Sequence, residues 1–258
     1  MSGLEPLSLE LIWLAIPAIA IAGMVHGTFG IGFPIVATPL LALFTDVLTA
    51  VLITLLPTTA VNLRVIGRGG LTQLRNIRPY LWIIPYALLG TLLGSYLLLW
   101  LDPRPFLLVL AFAILLYLNQ DRIQRLSFSW VRDHTQLANV LFGLAAGLMS
   151  GMVNVMLPVL IILYMELHLA AATMVVIFNI NFLTGKLTQL SFFSNTDIPN
   201  IGSFFLSTLW LVPVAMLSIQ FGFWLNKRIS EDNYLKILRG ILWFIAGILS
   251  IKFIASYI

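Results

Sequence analysis

Two glycine-rich stretches place polar groups inside otherwise apolar sequence. The first runs Gly23-Met-Val-His26-Gly27-Thr-Phe-Gly30-Ile-Gly32-Phe33-Pro34. The second runs Gly143-Leu-Ala-Ala-Gly147-Leu-Met-Ser150-Gly151-Met-Val-Asn154. Closely spaced Gly and Pro interrupt a helix, and an interruption frees backbone N–H groups at the start of the next segment. Those donors, with the positive end of the half-helix, attract an anion. The same glycines at four-residue spacing also suit close helix–helix packing. Both readings stand on sequence alone.

The remaining polar candidates are few. His26 lies inside the first stretch, either hydrogen-bonded within a bundle or touching substrate or a proton. Asn62 and Arg64 end an apolar helix, where Arg64 snorkels toward headgroups. Asn179 and Asn181 sit within an apolar helix, so their amides need partners in the bundle interior. Lys186, five residues after Asn181, suits either an anion or an interfacial anchor. Asp46 and Glu166 read as N-caps of the helices that follow them. Ser150-Gly151 superficially fits an intramembrane serine hydrolase, which would need a base on another helix, and His26 is the one histidine at membrane depth.

Composition decides what must position these groups. The chain has 258 residues, of which 60% are hydrophobic and 9% charged; its mean hydropathy is +1.01. Twenty-four charged side chains cannot cover a soluble surface of this size, where roughly 25% charge is usual. A soluble enzyme, a disordered chain and a nucleic-acid module are excluded, and an all-α polytopic transmembrane protein in a lipid bilayer remains. The net charge of +4 is then membrane-orienting Arg in loops. With no cysteine there is no thiolate catalysis and no Cys-ligated metal; no metal, cofactor or nucleic-acid partner is expected. Glu5 and Glu10, with no basic residue before Arg64, argue that the first apolar stretch is retained rather than cleaved as a signal.

Charges divide the chain into apolar stretches. Two of them, Leu11–Thr45 and Thr135–Met165, hold 35 and 31 uncharged residues, too long for one span and too short for two. Each reads as one span followed by a half-length segment, the break falling at the glycines. The two stretches also match each other at an offset of 120 residues, with Gly23, Gly27 and Gly30 over Gly143, Gly147 and Ser150. The expected architecture is two pseudo-symmetric repeats of about 120 residues, with eight full spans plus two half-length segments. Residues 1–119 form the first repeat, 120–134 a basic cytoplasmic linker and 135–258 the second. Arg64, Arg68, Arg75, Arg78, Arg122, Arg125 and Arg132 crowd loops on one side, taken as cytoplasmic. If the half-segments cross, Lys227, Arg228, Lys236 and Arg239 join that side and the repeats are inverted; otherwise they are parallel.

The motif Gly23-x-x-x-Gly27-x-Phe-Gly30-Ile-Gly32 with Pro39 beyond it, its degenerate second copy and the number of spans resemble the sulfite exporter TauE/SafE family. The resemblance covers nearly the whole chain. It implies a multi-pass protein of the bacterial inner (plasma) membrane that moves small sulfur-containing anions such as sulfite, sulfonates or sulfoacetate, and that is not an enzyme. The family usually carries three glycines after the Ile; here Gly32-Phe33-Pro34 stands there, and Pro34 has no N–H to offer. The functional expectation is a secondary transporter, acting by rocking of one repeat against the other, coupled to H⁺ or Na⁺, with a homodimer admitted. Its substrate site comprises His26, Gly27, Gly30, Gly32, Asn62, Ser150, Gly151, Asn154, Asn179, Asn181 and Lys186. The alternatives are an anion channel on the same scaffold and the serine hydrolase.

Overall fold

The computed structural model describes residues 7–123, 128–228 and 231–256; within its helices, no side chain is described at 69–76, 121, 231–235 and 237. Arg125, and the side chain of Arg75, therefore lie outside the described residues. The elements are α1 (Leu9–Phe29), α2 (Phe33–Ala42), α3 (Val47–Asn76), a 3-10 turn (Arg78–Ile83), α4 (Ile84–Trp100), α5 (Pro105–Leu118), α6 (Gln120–Ile123), α7 (Trp130–Asp133), α8 (Thr135–Val153), α9 (Leu157–Glu166), α10 (Ala171–Ser194), α11 (Ile201–Thr208), α12 (Leu211–Leu225) and α13 (Glu231–Ala255). Helix is the form in which an apolar segment satisfies its own backbone in lipid.

Among the described residues seven helical segments are long and apolar enough to cross a membrane. The molecule is an all-α polytopic membrane protein. Counting charges gave eight full spans. The difference is Pro105–Leu118, whose 14 residues rise about 21 Å against roughly 30 Å of hydrocarbon. It joins α2 and α9 among the shorter apolar helices.

Both expected breaks exist, at the ends of α1 and α8. The chain leaves α1 through Gly30 and Gly32, at φ +75° and +108°, conformations that an L side chain resists. It leaves α8 through Asn154 at φ +65°, where Asn is the tolerated non-glycine. Each short helix then starts with a proline at its second residue, Pro34 in α2 and Pro158 in α9, where the missing N–H is not needed. The two left-handed caps, Gly30 and Asn154, lie 124 residues apart, as do the two prolines. Asp46 is the N-cap of α3, accepting from the Thr49 N–H at 2.9 Å. Glu166 is not a cap: it is the last residue of α9, and Ala170 precedes α10. Its carboxylate instead accepts the Phe128 N–H at 3.0 Å.

Glycine faces set the two closest packings. A Cβ on Gly27 would lie 2.2 Å from the Ile219 carbonyl oxygen, and one on Gly222 2.3 Å from that of Met24, so α1 and α12 touch backbone to backbone. Gly94 and Gly151 do the same for α4 and α8, at 2.3 Å from the Leu148 oxygen and 2.4 Å from the Thr91 oxygen. In each pair the contacts advance together along both chains, so the partners run parallel. Each pair joins a helix from before residue 119 to one from after residue 135. Between them, α3 and α10 pack against each other, as do α5 and α13.

The bundle has a basic end and an opposite end. At the basic end Arg68 lies 4.0 Å from the centre of the Phe223 ring, and Arg132 is hydrogen-bonded to His168 at 3.1 Å. At the opposite end Lys252 of α13 donates to the carbonyls of Ala42 (2.7 Å), Leu43 (3.3 Å) and Thr45 (2.8 Å), closing the end of α2. Helix α1 begins beside Ser207, which accepts the Leu7 N–H at 3.3 Å, and ends where Asn226 donates to the Thr28 carbonyl at 2.5 Å. Helix α2 then turns back to end under Lys252. The α1–α2 hairpin thus enters from the Lys252 end, and the α8–α9 hairpin from the basic end.

Candidate functional site

The first break is held by a side chain from beyond the chain's midpoint, and the second by side chains from both halves. At the first break the Phe33 N–H donates to His26 Nδ1 at 3.2 Å. That nitrogen is therefore the acceptor, and the ring proton sits on Nε2. Nε2–H donates to Asn179 Oδ1 at 3.1 Å. Asn179 Nδ2 in turn donates to the carbonyls of Gly30 and Val175, both at 2.7 Å. His26 and Asn179 are both fully buried, and their polar atoms are committed to clasping the turn. Of the first donors of α2, the Phe33 N–H goes to His26 and Pro34 has none. Two of the positions that open α2 are therefore closed to an anion.

The second break is built around charge. Asn154 Nδ2 donates to Thr38 Oγ1 on α2 (2.9 Å) and to Thr54 Oγ1 on α3 (2.7 Å). Its Oδ1 accepts from the ammonium of Lys186 on α10, which also donates to Gln189 Oε1. Gln189 Nε2 reaches the carbonyls of Ser150 (3.2 Å) and Gly151 (3.3 Å) in the last turn of α8. Lys186 is fully buried. Its partners are neutral amide oxygens, and among the described residues no carboxylate pairs with it. A protonated Lys186 in this position would lack counter-charge, which would cost several kcal/mol.

The other sequence candidates fall in different places. Gly27 and Gly151 lie inside helices against α12 and α4, so packing requires them. Gly30 and Gly32 form the first turn itself. Asn181 is on the opposite face of α10 from Asn179, beside Tyr164, with its Nδ2 donating to the Ile177 carbonyl at 2.9 Å. Asn62 is fully buried and neither amide atom has a partner among the described residues. Ser150 Oγ is likewise unpartnered, and both His26 nitrogens are engaged by Phe33 and Asn179. Among the described residues no serine hydroxyl is hydrogen-bonded to a histidine. Among the described residues no cluster of three His, Asp or Glu could hold a metal ion.

Sequence reasoning missed Gln189, Thr38 and Thr54. Gln189 had a signal: it follows Lys186 by one helical turn, an amide in an apolar helix like those singled out. The threonines had none, because a membrane-helix Thr ordinarily bonds its own preceding turn. Thr54 does so as well, to the Ala50 and Val51 carbonyls.

A family model described as Sulfite exporter TauE/SafE matches residues 15–250. No curated protein and no solved structure is significantly similar to the chain.

Proposed function

The chain belongs to the sulfite exporter TauE/SafE family, a family of transporters and not of enzymes, and we propose that it exports small sulfur-containing oxyanions such as sulfite or sulfonates. The observation that carries this reading is Lys186, sealed among Asn154 and Gln189 without a carboxylate. A single oxyanion would supply the missing counter-charge. The two amides, turned over, would offer it N–H donors from either side. One positive charge against one negative charge leaves a field weak enough for release.

The architecture we infer is a duplication of about 124 residues, with 1–119 and 135–258 as the two copies and 120–134 as the link. The caps Gly30 and Asn154, the prolines Pro34 and Pro158, and the N-caps Asp46 and Ala170 all keep that spacing. In this register His26 corresponds to Ser150. Hairpins entering from opposite ends support inverted copies, with the basic end cytoplasmic. Because α1–α12 and α4–α8 are each sealed by backbone contact between the copies, substrate access comes from movement of these pairs about α3 and α10. Rocking of one whole copy against the other would have to break both seals. A tag at the C-terminus should label from outside the cell; cytoplasmic labelling would sink the inverted arrangement.

Purified protein in liposomes, offered sulfite, taurine, sulfoacetate, sulfate and chloride with and without a pH or Na⁺ gradient, tests the function. Saturable flux of a sulfur anion, lost in Lys186→Gln, is expected. Folded protein that moves none of the sulfur anions overturns the reading, and ohmic chloride current would mark a channel instead.

A further inference from the structure

Helix α3 carries Thr54, Thr58 and Asn62 at intervals of four residues, which puts them on one face. All three are fully buried. The first is tied into the Lys186 network through Asn154. The other two are not: Thr58 Oγ1 and both amide atoms of Asn62 lack any partner among the described residues. An unpaired amide within a membrane costs free energy that a Leu in its place would not, and such groups in native structures call for an explanation. Two turns of helix, about 12 Å, separate Asn62 from Thr54, so the loose groups lie toward the basic end of the bundle.

Position adds a second, independent observation. Asn62 stands sixteen residues after the N-cap Asp46, and Lys186 sixteen after the N-cap Ala170. In the duplicated architecture the two residues hold equivalent places, one a hydrogen-bonded lysine, the other an amide with no partner among the described residues. We propose that Asn62 and Thr58 form a second substrate subsite, neutral where the first is cationic, between the Lys186 site and the basic face of the membrane. The Asn62 Nδ2–H and the Thr58 hydroxyl donate to the oxyanion there. Asn62 Oδ1 remains to accept a hydrogen from a substrate that carries one, such as hydrogen sulfite or an aminosulfonate. The substrate class is thus an oxyanion passing between a charged station and an uncharged one, which keeps either from holding it too tightly to leave. This rests on the sulfur-anion reading above.

The test combines flux, binding and stability on purified full-length protein, with sulfite as the probe. In Asn62→Leu the maximal flux should fall about tenfold or more, as for removal of an interaction made along the transport path. Sulfite binding, read by tryptophan fluorescence, should shift by no more than about threefold, because Lys186 remains. The thermal midpoint should stay the same or rise, since an unpaired polar group has gone. Asn62→Ser, which keeps a hydroxyl donor and guards against misfolding of the leucine variant, should give an intermediate flux. Wild-type flux in either variant overturns the proposal and leaves Asn62 as a buried residue without a transport role. Loss of binding in step with flux overturns it too, by merging Asn62 with the Lys186 site. If the wild-type protein itself moves no sulfur anion, the functional reading falls and takes this one with it; wild-type flux that Asn62→Leu matches removes this one alone.

Discussion

The two breaks solve the same backbone problem with different chemistry. At the first, Gly30 and Gly32 make the turn, and a neutral His26–Asn179 pair clasps it through four hydrogen bonds. At the second, Asn154 makes the turn and its side chain joins a network that ends on a buried ammonium. In that clasp the side-chain donors and acceptors of His26 and Asn179 are all matched within the protein. The Lys186 network, with no carboxylate beside it among the described residues, is the one we propose binds. On the function proposed here the first break is structural and the second binds, although the glycine motif that marks the family-like sequence lies at the first.

Substitutions can break that contrast. Lys186→Ala should have the largest effect, abolishing flux by about 100-fold or more, while the protein remains folded; the liposome assay with a thermal-shift control reads both. A folded Lys186→Ala protein with unchanged flux would remove charge from the account of the second break. Gly94→Leu forces a side chain into the α8 backbone and should destabilise by about 3 kcal/mol or more, seen as failure to purify as a monodisperse species. His26→Ala sharpens the comparison from the other side. It orphans the Phe33 N–H and Asn179 Oδ1, and should lower stability by about 2–4 kcal/mol, with the half-saturating sulfite concentration unchanged. A shifted half-saturation at full stability would return His26 to the substrate. Asp46→Ala removes the cap of α3 and should cost about 1 kcal/mol, a small drop in thermal midpoint with flux intact.

Much of this was legible in the sequence, and the exceptions have physical causes. The two breaks were visible because Gly and Pro in a charge-free stretch leave few other readings. Their register was not. Gly143, Gly147 and Gly151 repeat every four residues, so sliding the alignment by one turn superposes glycine on glycine. Helix ends, which depend on the φ of Gly30 and Asn154, are the observation behind the 124-residue register we propose. Asp46 was legible as a cap because Asx side chains favour that position. Glu166 looked equivalent, but its partner is Phe128, 38 residues earlier, a contact that no local pattern announces. Lys186 and Asn154 were both recognised as polar residues of interest. That one binds the other could only come from the folded bundle, as could the commitment of both His26 nitrogens.

The parallel glycine pairs bear on the order in which the protein is made. Helix α4 meets α8 after a modest interval of chain, whereas α1 must wait for α12, nearly two hundred residues later. During synthesis α1 therefore sits in lipid with its glycine face unpartnered, and the α4–α8 pair is the first seal available. Assembly should proceed from the middle of the chain outward, with docking of α1 against α12 as a late step. Residues 1–119 made alone would lack the partners of both α1 and α4, and should be cleared by membrane proteases unless residues 120–258 are supplied alongside.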